Sequence, residues 1–327
     1  MEKISIRSYR KGDEYSFFKL DRQLEEHPFN RRSVKNFLWK FKKKNLFGKC
    51  INFFSYQGKK IIAHFGAVPL KWIIRNKEVL GSCSIAMMVK PEWQNKGLIK
   101  FVGDRVFKSL VKNKVRFVYG YPNQKSHSLH IKLWNYRDFI NQKTYVLKKK
   151  IVDVSNNFVV KEVKTFKKKH DLFWNKNKKN YEAILDRNSK FLNWRYLGRP
   201  DHKYFCFNIF DEQNNLLGYF VLKLYKSKEV TKIHIVDIFL KELSGNDLKQ
   251  ACLSVLQTVY KYKFNENEIS FWMNGNKKLV TTFAAIGFKV SEERRMILKK
   301  LDSKKEKSIQ INPKNFYFTM GDTLEVY

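Results

Sequence analysis

The apolar positions of this chain change period several times, and each change marks an element. Ile4 and Ile6 alternate with polar neighbours, so residues 3–9 read as a strand. Gly12-Asp13-Glu14 follows as a helix start, with acidic side chains at the positive end of the dipole and Phe17, Leu20 and Leu24 on one face. A second helix runs from Ser33, an N-cap residue type, to about Lys44, with Phe37, Leu38 and Phe41 on one side. Three strand-like runs come next, 51–56, 60–74 and 79–89. Their breaks at Gln57-Gly58 and Arg75-Asn76 are turn chemistry and predict an antiparallel meander.

Residues 90–99 read KPEWQNKGLI and lead into a helix whose expected apolar face is Phe101, Val102, Val106, Phe107 and Leu110. A strand over 116–121 closes at Pro122-Asn123, and a helix from Ser126 to about Trp134 leads to Tyr136 and Phe139. Helices alternating with strands after a meander predict a mixed α/β (α+β) fold, a mostly antiparallel twisted sheet flanked by helices. From about 148 to 179 the pattern degrades into a polar stretch, expected to be a connection with short strands. A second organised region follows: a helix ending in FLNWRY (191–196), strands at 204–210, 216–223 and 232–240, a helix over 246–262, a strand at 269–273, and a helix from Asn276 into Gly287-Phe288. The halves echo one another. Asn123 precedes a helix and Tyr136, as Asn274 precedes a helix and Phe288, with spacings that differ by one residue. The expected division is 1–148 and 149–327.

Length agrees with two domains, since 327 residues exceed the roughly 150 of one ordinary domain. Charge adds more. With 66 Lys+Arg against 30 Asp+Glu the net charge is +36, which excludes an acidic solvating chain and points to anionic partners. The abundance of Lys, Asn, Ile and Phe follows A/T-rich codons and accounts for part of the lysine, though not for the scarcity of acid. Cys50, Cys83, Cys206 and Cys252 form no C-x-x-C pair, so a reduced, cytoplasmic chain with incidental thiols and no metal site is expected. The start MEKISIRSYRKGDEY has no apolar signal region, and no window approaches the roughly 18 apolar residues of a membrane span. The expectation is a soluble protein, peripheral to membranes at most.

The chemistry concentrates at Gln94, Asn95, Lys96, Gly97, Leu98 and Ile99, between a strand and a helix. Glycine there lets a ligand approach the backbone closely, and the first N–H groups of the following helix point at whatever sits above them. With the helix dipole this is an anion cradle suited to a pyrophosphate. Neither G-x-G-x-x-G nor G-x-x-x-x-G-K-[ST] is present. The preceding strand, Cys83 to Val89, carries no carboxylate, so a general base must come from elsewhere or the acceptor must arrive neutral. His64 in the strand over 60–74 and Asp237 between Val236 and Ile238 are candidates; each is equally a group paired within the core. Trp194, Arg195 and Tyr196 suit stacking on a base or sugar and gripping a phosphate, or anchoring a helix in the core.

The order strand, V-x-P-x-x-Q-x-x-G, amphipathic helix, strand ending in Asn, helix resembles the Gcn5-related N-acetyltransferase (GNAT) superfamily. The loop Gln94-Asn95-Lys96-Gly97-Leu98-Ile99 and the run from Asn123 to Lys132 carry the likeness. Tyr119-Gly120-Tyr121-Pro122-Asn123-Gln124-Lys125-Ser126, Trp194-Arg195-Tyr196 and Tyr317-Phe318-Thr319-Met320-Gly321-Asp322 extend it to two-lobed bacterial members of the polysaccharide-biosynthesis type. The resemblance implies two tandem GNAT-like lobes. The first would bind acetyl-CoA through residues 94–99, through Met87, Met88 and Val89 along the pantetheine arm, and through Asn123 and Ser126. The second would lack a cofactor of its own and contribute to acceptor binding. It also implies direct transfer to a primary amine, with a strand amide near Met88 stabilising the oxyanion. His130 falls where the family has a tyrosine that protonates the leaving thiolate, work that histidine can do. Ile99 replaces the last small residue of the loop, and Asn135 stands near the family's glycine. The implied acceptor is the amine of a sugar nucleotide or related glycan precursor.

Two other readings accommodate the charge. Peptidoglycan aminoacyl transferases share paired lobes of this kind and use aminoacyl-tRNA, but need no acetyl-CoA loop. A non-catalytic RNA- or membrane-binding module would use the lysine runs 42–44, 148–150 and 167–169; these are dispersed, and no RNA-recognition signature accompanies them. No specific nucleic acid is therefore expected.

Overall fold

The computed structural model describes residues 3–24, 33–41, 48, 50–148, 157–226, 231–262, 268–301 and 310–324. Lys42–Lys44 and most of the 148–150 run lie outside them. The fold is mixed α/β, built in two compact units.

The first unit comprises Met1–Trp72, Glu78–Phe139 and Met296–Gln310. Its strands β1 (Ile4–Ser8), β2 (Ile51–Gln57), β3 (Lys60–Ile74) and β4 (Lys77–Val89) follow one another in the sheet, and β1/β2 and β2/β3 pair antiparallel. Next comes β5 (Phe117–Gly120), parallel to β4. Helices α1 (Asp13–Leu24) and α2 (Val34–Phe41) cover one face through Phe17 and Phe37, which meet Phe54 and Tyr9. On the other face α3 (Leu98–Lys112) packs Val102, Val106 and Leu110, all fully buried, against Ile62, Phe65 and Val118. Phe101, placed by periodicity on that apolar face, is 59% exposed; its position is taken by Gly103. A Cβ at Gly103 would lie 2.1 Å from the Trp134 ring, so glycine sets how closely α3 meets α4 (Gln124–Trp134).

The second unit comprises Ile73–Lys77, Ile140–Arg295 and Ile311–Tyr327. Its sheet orders β6 (Arg137–Leu147), β12 (Glu268–Trp272), β11 (Thr231–Leu240), β10 (Leu216–Lys226), β9 (Tyr204–Phe210) and β7 (Val159–Glu162). In that order β11 and β12 pair parallel and the other neighbours antiparallel, and α7 (Gly245–Lys261) joins β11 to β12 as α3 joins β4 to β5; off that path β8 (Ala183–Leu185) pairs parallel with β14 (Phe316–Tyr317). The polar stretch carries a short strand as expected, β7, but also a helix, α5 (Lys168–Asn177), held by Trp174 and by His170 bonded to Asn208. Periodicity missed it because few of its positions are apolar. The echo between halves survives with a shift. Asn123 caps α4, whereas Asn276, not Asn274, caps α8 (Lys277–Ile286).

The units are not the contiguous spans 1–148 and 149–327. Residues Ile140–Leu147 fall in the second unit, with β6 on β12. Met296–Lys300, the end of β13 (Lys289–Lys300), falls in the first, antiparallel to β5 with Ile297 opposite Gly120. Each segment thus belongs to the unit in which it finds its strand partner, a long-range pairing that no local pattern encodes.

Candidate active site

The first unit holds the sequence-predicted loop at the head of α3. Gln94 donates from its side-chain amide to the Val89 carbonyl at 3.2 Å, tying the loop to the end of β4. Asn95 and Gly97 are left-handed, with φ of 60° and 71°. Left-handed residues in such loops make the concavities of N–H groups that hold anions. Gly97 is the N-cap of α3 and offers no side chain to its amides, in contrast with Asn123, whose side chain accepts from Ser126 N at 2.9 Å. A Cβ at Gly97 would meet nothing within 4 Å, so protein packing does not demand the glycine; the space above it is open. Lys96 lies over the Trp93 ring at 5.1 Å, and Leu98 and Ile99 point into the core at 6% and 8% exposure. Ile99 therefore fits under the helix start and leaves the backbone above it clear. These residues fit a pyrophosphate.

Strand β4 runs on toward the loop beyond its pairing with β5, which ends at Gly120. Their register runs from Gly81 opposite Phe117 to Cys83 opposite Tyr119, after which Ser84 Oγ donates to the Tyr119 carbonyl. Strand β4 continues to Val89 past a residue the sequence reading did not single out: Ala86, at φ 52°. A left-handed residue inside a strand marks a bulge, and with a Cβ it costs about 1–3 kcal/mol. Met87, Met88 and Val89 follow it.

His130 sits on α4, buried, with its ring edge-on to Phe65 at 5.8 Å and to Tyr136 at 5.0 Å. Its Nδ1 lies 2.7 Å from the Ser126 carbonyl. A carbonyl only accepts, so Nδ1 carries the proton and Nε2 presents the lone pair. Burial holds the ring's pKa below its ordinary value, against the pull of the Ser126 carbonyl. The neutral ring so arranged takes a proton at Nε2 before it can give one, which the acid role implied by the family position did not anticipate. Ser126 and Asn123 are engaged in capping α4, with Ser126 Oγ also bonded to the Asn123 carbonyl at 3.2 Å.

The other candidates lie elsewhere. His64 is fully buried on the α1/α2 face of the sheet, opposite the face that carries His130; both its nitrogens are bonded, Nδ1 to the Ala86 carbonyl at 2.6 Å and Nε2 to the Asn52 side chain at 3.1 Å. That leaves no lone pair to act as a base. Asp237 in the second unit is 1% exposed and accepts from the Tyr196 and Tyr219 hydroxyls at 2.9 Å each, from Thr319 at 3.1 Å and from Arg187 at 3.3 Å. It is the centre of a structural network. Arg195 is likewise buried, donating to the carbonyls of Gly321 and Thr323 at 2.9 and 2.8 Å and to the Tyr204 hydroxyl at 2.9 Å. With Tyr196 on Asp237, Arg195 and Tyr196 are spent inside the unit, Arg195 fastening residues 321–323, while half-buried Trp194 stands near Phe191. Charge and aromaticity suggested a phosphate grip; burial, which a sequence does not display, decided otherwise.

Residues 5–129 match the family model described as an acetyltransferase (GNAT) domain. That part of the chain is thus similar to a GNAT acetyltransferase domain. Solved structures agree in fold along nearly the whole length. A GCN5-related N-acetyltransferase from Anabaena variabilis is 11% identical, with a TM-score of 0.67 over 92% of this chain and 73% of its own. Saccharomyces cerevisiae N-myristoyltransferase, bound to myristoyl-CoA and inhibitors, is 10% identical, with a TM-score of 0.65 over 97% of this chain and 86% of that one. A tandem GNAT protein from the clavulanic acid biosynthesis pathway is 8% identical, with a TM-score of 0.64 over 93% and 100%. No curated protein sequence matches. GNAT domains use acyl-CoA donors. Among the described residues no helix is long and apolar enough to cross a membrane.

Proposed function

We propose that the protein transfers the acetyl group of acetyl-CoA to a primary amine, and that the amine belongs to an amino-sugar nucleotide or related glycan precursor. One observation carries this reading: a loop left-handed at Asn95 and Gly97 follows β4 and heads α3, with no side-chain cap and open space above Gly97. The pyrophosphate takes the amides of residues 95–99, and the pantetheine arm follows Met87, Met88 and Val89 as an added strand would. The thioester carbonyl then lies near the Met88 amide, which stabilises the oxyanion as the amine attacks. His130 Nε2 accepts the proton that the nitrogen releases and returns it to the departing thiolate, giving the amide and CoA with the histidine restored. The acceptor class rests on the family resemblance and on a basic chain that draws in phosphorylated ligands.

Calorimetry with acetyl-CoA, CoA and myristoyl-CoA, then turnover with a panel of amino-sugar nucleotides, tests the proposal. We expect acetyl-CoA to bind and free thiol to appear only with an amino sugar. Binding of myristoyl-CoA alone would move the donor assignment, and turnover with none of the panel would overturn the acceptor.

A further inference from the structure

We propose that His64 is a positioning residue: its side chain holds the left-handed turn of β4 at Ala86 and so aims the Met87 and Met88 amides at the reacting carbonyl. The inference rests on the acetyl-transfer reading for its consequence, though not for its geometry.

The Ala86 carbonyl accepts from His64 Nδ1 at 2.6 Å, which fixes the tautomer. Nε2 then needs a donor, and the Asn52 side chain 3.1 Å away supplies one through its amide nitrogen, interchangeable with the oxygen by a half-turn. The ring is fully buried among Phe17 at 4.8 Å, Phe54 at 4.6 Å and Phe41 at 6.0 Å. In that aromatic cage an apolar side chain would pack as well, and a polar pair is tolerated only when its hydrogen bonds are complete. Room for the pair is itself specific. A Cβ at Gly66 would fall 2.6 Å from that same terminal atom of the Asn52 amide and 3.1 Å from His64 Cε1. Strained backbone persists where surrounding structure over-determines it. Here the restraint comes from α1/α2-face side chains, and the strained residue immediately precedes the stretch proposed to meet the thioester. His64, Asn52 and Gly66 thus govern the site from the far side of the sheet.

His64→Phe keeps an aromatic ring in the cage and removes the donor; His64→Gln restores an N–H. In His64→Phe we expect kcat to fall about 10- to 100-fold, less than the roughly 100- to 1,000-fold of a lost oxyanion donor, because the amide is misaimed and not removed. Acetyl-CoA affinity should stay within about twofold, because the residue 94–99 loop is untouched. His64→Gln should recover part of kcat. Adding Ala86→Gly to His64→Phe should recover more, since glycine holds φ near 52° without strain. Amide hydrogen exchange at residues 86–88 should quicken about tenfold in His64→Phe, a readout independent of turnover. Wild-type exchange there, or kcat and affinity falling together with no recovery from Ala86→Gly, overturns the proposal. If the wild-type protein acetylates nothing while exchange responds as expected, the functional reading fails and the hold on Ala86 stands.

Discussion

Arg187 and Asp322 lie 135 residues apart in the chain and meet in the interior, with Nη2 2.9 and 2.8 Å from the two carboxylate oxygens. The same nitrogen lies 3.3 Å from Asp237 Oδ1, so one guanidinium serves two buried carboxylates. Burial, the largest influence, raises the Asp322 carboxyl to about 6, with Asp237 adding to it and Arg187 opposing. Arg187→Met would leave both acids without their cation. The expected loss is about 3–5 kcal/mol, read as a lower midpoint in urea unfolding.

Gly97 answers to conformation and access, not to packing. Gly97→Ala should cost about 1 kcal/mol of stability from its φ of 71°, with a measurable loss of acetyl-CoA affinity. Gly97→Glu sets a carboxylate in the open space above the amides and should abolish binding by calorimetry while the protein remains folded. Unchanged affinity in the glutamate variant removes the loop assignment.

The α3–α4 contact offers a separate test. Gly103→Ala places a methyl 2.1 Å from the Trp134 ring, which also donates to Asp104 at 3.2 Å and packs on His130. The helices must part, at about 1–3 kcal/mol. Thermal melting should report that loss. Turnover should fall with it, because α4 carries His130.

His130→Tyr separates the two proton roles. Tyrosine restores the family's acid but presents no lone-pair base at neutral pH. If Nε2 first accepts the amine proton, kcat should drop by about 10²-fold or more. The wild-type pH profile should fall below a pKa under 6.5, since burial depresses the ring, and His130→Tyr should lose that limb. Full activity in the variant restores the acid reading.

His234 makes the fold sensitive to acid. Burial, aided by Lys223, Lys232 and Arg294, lowers its pKa to about 3. A histidine with a depressed folded pKa contributes fully above the unfolded value of about 6.5, and its contribution is lost as pH falls from there toward 3. At pH 5 the loss relative to pH 8 should be about 2 kcal/mol. His234→Gln should flatten that dependence in parallel urea titrations.

Much of the first unit was legible residue by residue. The meander appeared because its turns carry Gly58 and Asn76, which adopt the left-handed backbone such turns require. The loop at 94–99 appeared because of the order of strand, loop, amphipathic helix and Asn-ended strand around it; a lone glycine at a helix start is commonplace. The second unit's network was misread in function, since Trp194-Arg195-Tyr196 and Asp237 have the same chemistry whether they face a ligand or one another. Ala86 gave no signal at all, because alanine's strained φ arises from contacts with His64 and not from its own propensity.

The sequence by itself determined the mixed α/β order, the turns, the caps and the anion-shaped loop, because each depends on residues within a few positions of one another. Tertiary structure alone decided that β6 and the end of β13 exchange units, that His64 and His130 occupy opposite faces, and which buried acids are already paired. Those outcomes depend on groups as far apart in the chain as Phe117 and Lys300, and local periodicity holds no record of which distant partner will fill a given hydrogen bond.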